Sequence, residues 1–538
     1  MGGTGAAPCK LVDANPKGWH DGGVSGLGIH PMTPYDLLVI GGGVNGAGIA
    51  RDAAGRGLSV LLCEKDDLAQ GTSSRSGKLV HGGLRYLEYY EFRLVREALI
   101  EREVLLDAAP HIIWPMRFVL PHSPEQRPAW LVRLGLFLYD HLGGRKKLPA
   151  TRAIDLASDP VGEPIKDAYT RAFEYSDCWV DDSRLVVLNA LDAQARGADI
   201  HTRTAVLSAR RDGDAWTVEL GDGSGQRTVR ARCIVNAAGP WVEGVLAGID
   251  GSSSNRRVRL VKGSHIVTRK FWDGDQAYLL QNHDKRVIFV NPYEGDLALI
   301  GTTDIAVEGK PEDAAIDERE IDYLLAVLAR YFDRTPTRAD IVHSFSGVRP
   351  LYDDNAENPS AVTRDYIFDI DPKLPNGVAP PILSIFGGKI TTYRKLAEHA
   401  LDKLGPFFPG MAKAWTARAP LPGGDMEDFD RWLVAFRRQF PWLPGDLAMH
   451  YGRLYGTRAA ALLEGAKSLT DLGTHFGAKF YEREARFLIR TEWARTAEDI
   501  LDRRSKHGLH LTAAERAAFT RWLAGLNEPA SAPMRAAT

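Results

Sequence analysis

Little in this chain of 538 residues supports a covalent or metal-built scaffold. Its four cysteines, Cys9, Cys63, Cys178 and Cys233, lie far apart and form no CxxC pair. That excludes a disulfide framework and a structural zinc site, and it suits a reducing compartment. Net charge is equally scarce: 67 Lys+Arg against 69 Asp+Glu leave a formal −2, so no basic face is available to grip nucleic acid. No run reaches the roughly 18 apolar residues that a membrane-spanning helix needs. The N-terminus also lacks the charged-then-apolar layout of a secretory signal. Haem-attachment and iron–sulfur spacings are missing too, which argues against an internal electron relay. What is present, 44% hydrophobic and 25% charged residues, is the composition of a globular protein with a large core. At about 150 residues per domain the length suggests three or four domains.

Residues 1–33 are expected to be a tail. Glycines at 2, 3, 5, 18, 22, 23, 26 and 28 fall in a stretch without apolar periodicity, and a start at Met32 should leave a working protein. From Tyr35 the pattern becomes strand (35–40), glycine turn, small-residue helix (48–56) and second strand (58–63), a βαβ unit of a parallel sheet. An amphipathic helix is expected near 93–106. Strands at 231–236, 264–267, 287–290 and 297–300 suit an antiparallel sheet facing a substrate. A buried strand over 380–387 runs into a helix at 391–404. The Pro/Gly stretch 419–424 marks a boundary, after which 425–527 are expected to be a helical domain and 528–538 a tail. Within it Tyr481, Ala485, Leu488, Ile489 and Trp493 form a core stripe at near-helical spacing.

Gly41-Gly42-Gly43-Val44-Asn45-Gly46 is G-x-G-x-x-G placed between strand and helix. Gly41 permits the tight turn, Gly43 lets backbone approach a pyrophosphate, and Gly46 allows close helix–strand packing. The helix N-terminus then meets the pyrophosphate with unpaired N–H groups. Glu64 ends the second strand about 20 residues on, where a carboxylate accepts ribose hydroxyls and disfavours a 2′-phosphate. This is a dinucleotide site; these residues alone leave NAD and FAD both open.

The segment 71–86, Gly-Thr-Ser-Ser-Arg-Ser-Gly-Lys-Leu-Val-His-Gly-Gly-Leu-Arg-Tyr, is dense in small hydroxylated residues and glycine that can wrap an extended cofactor. With His81–Glu88 and Gly387-Gly388-Lys389-Ile390-Thr391-Thr392-Tyr393-Arg394-Lys395, it resembles the FAD-dependent glycerol-3-phosphate dehydrogenases, the aerobic branch of the D-amino-acid-oxidase-like flavoproteins. Matching stretches run from Tyr35 to the C-terminal helices. The resemblance implies a mixed α/β chain. A Rossmann-like FAD-binding domain would be built from about 34–115, 170–260 and 340–405, within a region 34–420 that also holds the antiparallel substrate sheet. It implies FAD contacts from Thr72, Ser73, Ser74 and Lys78 between pyrophosphate and ring, Val206 at the adenine, Gly239 and Trp241 after a buried strand, and Gly387, Gly388, Lys389 and Thr391. At this last junction a helix N-terminus would stabilise the reduced ring.

A phosphorylated substrate needs a fixed cation, and Arg offers a planar, permanently charged fork. Arg85, Arg349 and Arg364 sit in short motifs of unusual composition, with Tyr86 and Lys389 adding hydrogen bonds; Asp353 and Asp365 are the acids that would instead pair with such arginines. The resemblance implies oxidation of sn-glycerol 3-phosphate to dihydroxyacetone phosphate, with hydride passing to the flavin. His81 and His265 are the leading bases because imidazole titrates near working pH, and Arg349 is the alternative group for polarising the hydroxyl. No metal is expected. Electrons would go to a membrane quinone, from a peripheral position on the cytoplasmic face of the membrane, with a homodimer left open. The apolar segment 129–139 is either the membrane contact or a core helix. The rival readings are a glycerol-3-phosphate oxidase that uses oxygen, an amine or amino-acid oxidase on the same scaffold, and a non-catalytic, FAD-stabilised binding protein docked at a membrane.

Overall fold

The strands Tyr35–Ile40, Val60–Cys63 and Ile382–Phe386 are short apolar runs, buried along all or most of their length. Such runs suit a parallel sheet covered on both faces. The computed structural model, which describes residues 33–251, 254, 256–284, 286–353, 365–372 and 379–527, builds that sheet. Leu37–Ile40 lies parallel between Cys233–Asn236 and Val60–Cys63. Ile382–Ser384 extends the sheet on one side and Asp199–His201 on the other, and Ile367–Asp371 adds an antiparallel edge. The expected tails 1–32 and 528–538 lie outside the described residues.

The segment 231–236, grouped in the sequence with the antiparallel strands, belongs here instead. Gly225–Asn236 is one long strand, half exposed at its start and buried at its end. Its first half pairs antiparallel with Ala215–Asp222, and its buried end enters the parallel sheet. The other three middle strands lie in a second, largely antiparallel sheet with Val258–Arg269, Ile341–Tyr352, Ile113–His122 and Arg171–Val180. One parallel pairing, Ala277–Tyr278 with Phe118–Val119, interrupts it.

Helix Val44–Gly55 is rich in Ala and Gly because it is buried between two others, Asp182–Ala195 and Tyr393–Leu404; a Cβ at Gly48 would stand 2.7 Å from the Tyr393 ring. Helix Phe92–Ala108 forms where expected. The C-terminal helices, among them Phe429–Gln439, Gly445–Tyr455, Glu482–Thr491 and Ala513–Asn527, share a hydrophobic cluster of their own. Ala485 and Leu488 are buried in it, whereas Trp493 packs on the core of the parallel sheet. The described residues from Pro34 to Asn527 form one compact unit.

Candidate functional site

The parallel strands end on one edge, and there the expected cofactor residues gather: Gly41 after Ile40, Glu64 after Cys63, Ala237–Trp241 after Asn236, and Gly387–Lys389 after Phe386. That edge is where open α/β sheets bind ligands. Gly41 has φ +112°, open only to glycine, and a Cβ at Gly46 would stand 1.9 Å from the Gly41 carbonyl oxygen. Gly43 caps the helix, and the Val44 N–H donates to Ser73 Oγ at 3.0 Å. Glu64 accepts from the N–H groups of Gly42 (2.7 Å) and Asp66 (2.8 Å), while burial raises its pKa. The Thr204 N–H donates to the Glu64 backbone carbonyl just before strand Ala205–Asp212, which contains Val206. Gly239 has φ +56°, and the Trp241 ring faces Gly71 with Lys65 Nζ 4.9 Å from its centroid. Thr72 Oγ1 donates to the Val348 carbonyl at 2.6 Å, tying the 71–78 segment to the second sheet. Gly387 (φ +82°) and Gly388 (φ +104°) come to the first glycine turn through Asn45, whose Nδ2 donates to the Gly387 carbonyl at 3.4 Å.

One expected residue gains a partner, and one expectation changes. Lys78 is buried and its ammonium is held by Asp182 Oδ1 (2.7 Å) and the Ser74 carbonyl (3.0 Å). That pair supplies the fixed counter-ion a buried ammonium needs and braces the loop. The Gly387–Lys389 junction opens a single 3-10 turn, Ile390–Thr392, and the helix proper begins at Tyr393.

The second sheet contributes a row of paired positions, Phe345, His265, Gly301 and Phe289, whose side chains share one face. Phe345 stacks on His265 at 4.9 Å, and the bare Gly301 makes room, since a Cβ there would stand 2.2 Å from the imidazole. The His81 ring meets Phe289 edge-on at 6.2 Å, and the His81 backbone N–H donates to Thr391 Oγ1 at 3.1 Å. Burial, with Arg349 and Lys78 nearby, pushes the His265 pKa down to about 3. Burial also lowers that of His81, aided by Lys389 and Arg102 and opposed by Asp177. The fold thus brings both candidate bases to one surface. Arg349 shares that face, four residues from Phe345. Its guanidinium ion-pairs with Asp304 at 2.7 Å and donates to the Thr303 carbonyl at 3.0 Å.

The phosphate residues gather only in part. Lys389 Nζ lies 3.8 Å from the Tyr86 ring centroid. Arg85, part exposed on the turn Leu84–Tyr89, reaches Tyr89 Oη at 3.4 Å. Arg364 lies outside the described residues. Of the three expected arginines, Arg349 has a side chain 28% exposed and paired with Asp304. Sequence reasoning missed Asn45, Phe289, Phe345 and the role of Asp304 as the partner of Arg349. Gly301 stood inside a matching stretch, but its signal, a glycine ending an apolar strand, needs the cross-strand register to be interpreted. In the helical region, His450 Nε2 and His507 Nε2 each meet a different oxygen of the buried Glu484 carboxylate, at 3.0 and 2.9 Å, the distances of hydrogen bonds.

Residues 36–372 match the family described as FAD dependent oxidoreductase, and residues 414–527 match the C-terminal domain of alpha-glycerophosphate oxidase. The chain belongs to the FAD-dependent oxidoreductases. It is 66% identical over 496 residues to the D-erythritol 1-phosphate dehydrogenase of Brucella abortus (strain 2308), an alignment covering 91% of this chain and 98% of the relative. The aerobic glycerol-3-phosphate dehydrogenase of Escherichia coli K12 is 52% identical over 91% of this chain and 98% of its own. The FAD complex of glycerol-3-phosphate dehydrogenase from Bacillus halodurans superposes with a TM-score of 0.70 at 26% identity, covering 91% and 94% of the two chains.

FAD is the cofactor of this family, and the groove fits an extended dinucleotide. Two glycine junctions, one turning at positive φ through Gly41 and the other through Gly387 and Gly388, meet at Asn45, where a Cβ at Gly388 would stand 2.9 Å from Asn45 Nδ2. The Asn45 Oδ1 is buried without a hydrogen-bond partner among the described residues, a polar atom in want of a ligand.

Proposed function

We propose that the chain oxidises a secondary carbinol of a phosphorylated polyol to a ketone. The observation that carries this reading is the surface made by His265, Gly301 and Phe289, with His81 at one end and Arg349 further along, facing the Gly71–Lys78 side of the groove. FAD supplies the hydride acceptor, flavin N5. His81 is the base that takes the hydroxyl proton. A group whose conjugate acid has a pKa near 3, as in His265, is too weak a base for an alcohol. His265 stays neutral and orients the hydroxyl through a hydrogen bond. Arg349, steadied by Asp304 and the Thr303 carbonyl, holds the anionic end of the substrate, with Lys389 and Tyr86 alongside. Thr72, Ser73 and Glu64 line the cofactor.

The relative at 66% identity makes D-erythritol 1-phosphate the first substrate to consider. Glycerol 3-phosphate, expected from the sequence, is the second reading, favoured by three relatives at 52–53%. Comparing kcat/KM for the two compounds tests the choice. A ratio of at least tenfold toward the four-carbon ester supports the first reading, and the reverse ratio replaces it with the second.

For the electrons we propose a membrane quinone. Among the described residues no helix is long and apolar enough to cross a membrane. Helix Ala129–Leu142, however, turns Trp130, Leu134 and Phe137 outward, 68%, 47% and 57% exposed, while Leu136 and Tyr139 face the core. Such a face suits peripheral seating in a lipid interface. Peroxide formation in place of quinone reduction would favour the oxidase reading.

A further inference from the structure

The C-terminal region sets a charged segment against the cofactor-side loops, and its cations Arg503, Arg504 and Lys506 each find a carboxylate there. The segment is a stretch of π-helix, Asp499–Arg504, followed by Lys506. Arg504 is fully buried and grips Asp67 through both arms of its guanidinium, Nη1 to Oδ2 at 2.7 Å and Nη2 to Oδ1 at 2.8 Å. Its Nε and the second Nη2 N–H donate to the Glu492 carbonyl. Arg503 Nε adds a third bond to Asp67 at 2.7 Å. Asp67 lies three residues beyond Glu64 in the loop whose Ala69 N–H donates to the Gly42 carbonyl at 3.0 Å, so this clamp fixes the loop that forms one wall of the glycine turn. A second arm works alongside it. The Lys506 ammonium, also buried, reaches Asp181 and Ser183 at the start of helix Asp182–Ala195. The neighbouring Asp182 holds Ser76 (2.8 Å) and Lys78 (2.7 Å) of the 71–78 segment. Arg203 closes the set: its N–H donates to the Asp66 carbonyl and its side chain pairs with Asp499.

We infer that Arg504 and Lys506 are positioning residues for FAD: the C-terminal segment holds the Glu64–Ala69 loop and the Gly71–Lys78 segment in the geometry that retains the cofactor. The inference rests on FAD lying between the glycine turn and these two segments. A bidentate, water-free Arg–Asp pair fixes direction as well as distance, which a lysine at position 504 cannot do.

The full chain, stripped of FAD and reconstituted, tests this. Arg504→Lys should raise the dissociation constant for FAD at least tenfold, read by flavin fluorescence. Its apo-protein Tm should fall no further than that of Arg56→Lys, a buried ion pair with Asp52 at the far end of the glycine-turn helix, and Arg56→Lys should leave FAD affinity within twofold of the parent. If Arg504→Lys fails to fold, Asp67→Asn is measured in the same way with the same expected tenfold loss. FAD affinity within twofold of the parent in the folded variant, with only the apo Tm lowered, would overturn the inference and leave a merely structural clamp. A parent chain that takes up no FAD would remove the underlying reading before any substitution is compared.

Discussion

The guanidinium of Arg349 can lie across strand Val258–Arg269 only because position 263 is glycine: a Cβ there would stand 2.3 Å from Nη2. Asp304 and the Thr303 carbonyl then set its direction. Arg349→Lys keeps the charge and loses the fork, so kcat/KM for the phosphorylated substrate should fall roughly 10- to 100-fold while FAD content stays at the level of the parent. An unchanged kcat/KM takes Arg349 out of the substrate site. The histidines separate by pH. Because burial lowers the pKa of His81, the acidic limb of kcat/KM should have its midpoint below about 6.5. His81→Ala should flatten that limb and cost about 10²- to 10⁴-fold in rate; an unaltered limb assigns the base elsewhere. His265 acts on stability instead. Its folded pKa, about 3, lies below the unfolded value of roughly 6.5. The unfolded chain therefore takes up the proton first, and the contribution of His265 is complete above pH ~6.5 and drains away as pH falls toward 3. His265→Gln should flatten the acid side of a Tm–pH profile over that window, and an equally steep profile would contradict the depressed pKa.

At the scale of elements, what was legible in the sequence was what local chemistry dictates. The first βαβ unit, Gly41, Gly46 and Glu64 stand where spacing alone placed them, because a glycine turn between a buried strand and a small-residue helix has few other solutions. The partition of the middle strands was not legible. Gly225–Asn236 serves two neighbours of opposite direction, and nothing in its residues announces where the pairing changes. The partner of Lys78 was hidden for a similar reason: its counter-ion, Asp182, lies 104 residues away. The site surface depends on cross-strand register, which brings His265, Gly301 and Phe289 into one row from three separate strands. Helix Ala129–Leu142 was left between core and interface, and its burial divides it, with Leu136 and Tyr139 inward and Trp130, Leu134 and Phe137 outward. Replacing Leu134 and Phe137 with Ser should release the protein from lipid vesicles in a flotation assay without loss of FAD. Undiminished flotation would assign membrane contact to another surface.

Across the whole molecule, the two sheets divide the work. The parallel sheet carries the glycine-lined edge expected to hold the dinucleotide, and in the proposed reading the antiparallel sheet offers His265 and Arg349, with His81 beside it, to the substrate. The 71–78 segment joins them through Thr72 and Val348. The helical C-terminal region braces the cofactor side through pairs that span the chain, Arg504 reaching Asp67 across 437 positions. That division makes a cofactor-level claim: the flavin should respond to a polyol only when the polyol carries a phosphate. An anaerobic titration of the purified holoprotein measures this directly. Adding D-erythritol 1-phosphate or glycerol 3-phosphate should bleach the oxidised flavin absorbance, whereas erythritol and glycerol at the same concentrations should leave it intact. Bleaching by the unphosphorylated polyols as readily as by their esters, or a flavin that stays oxidised with both esters, would contradict it.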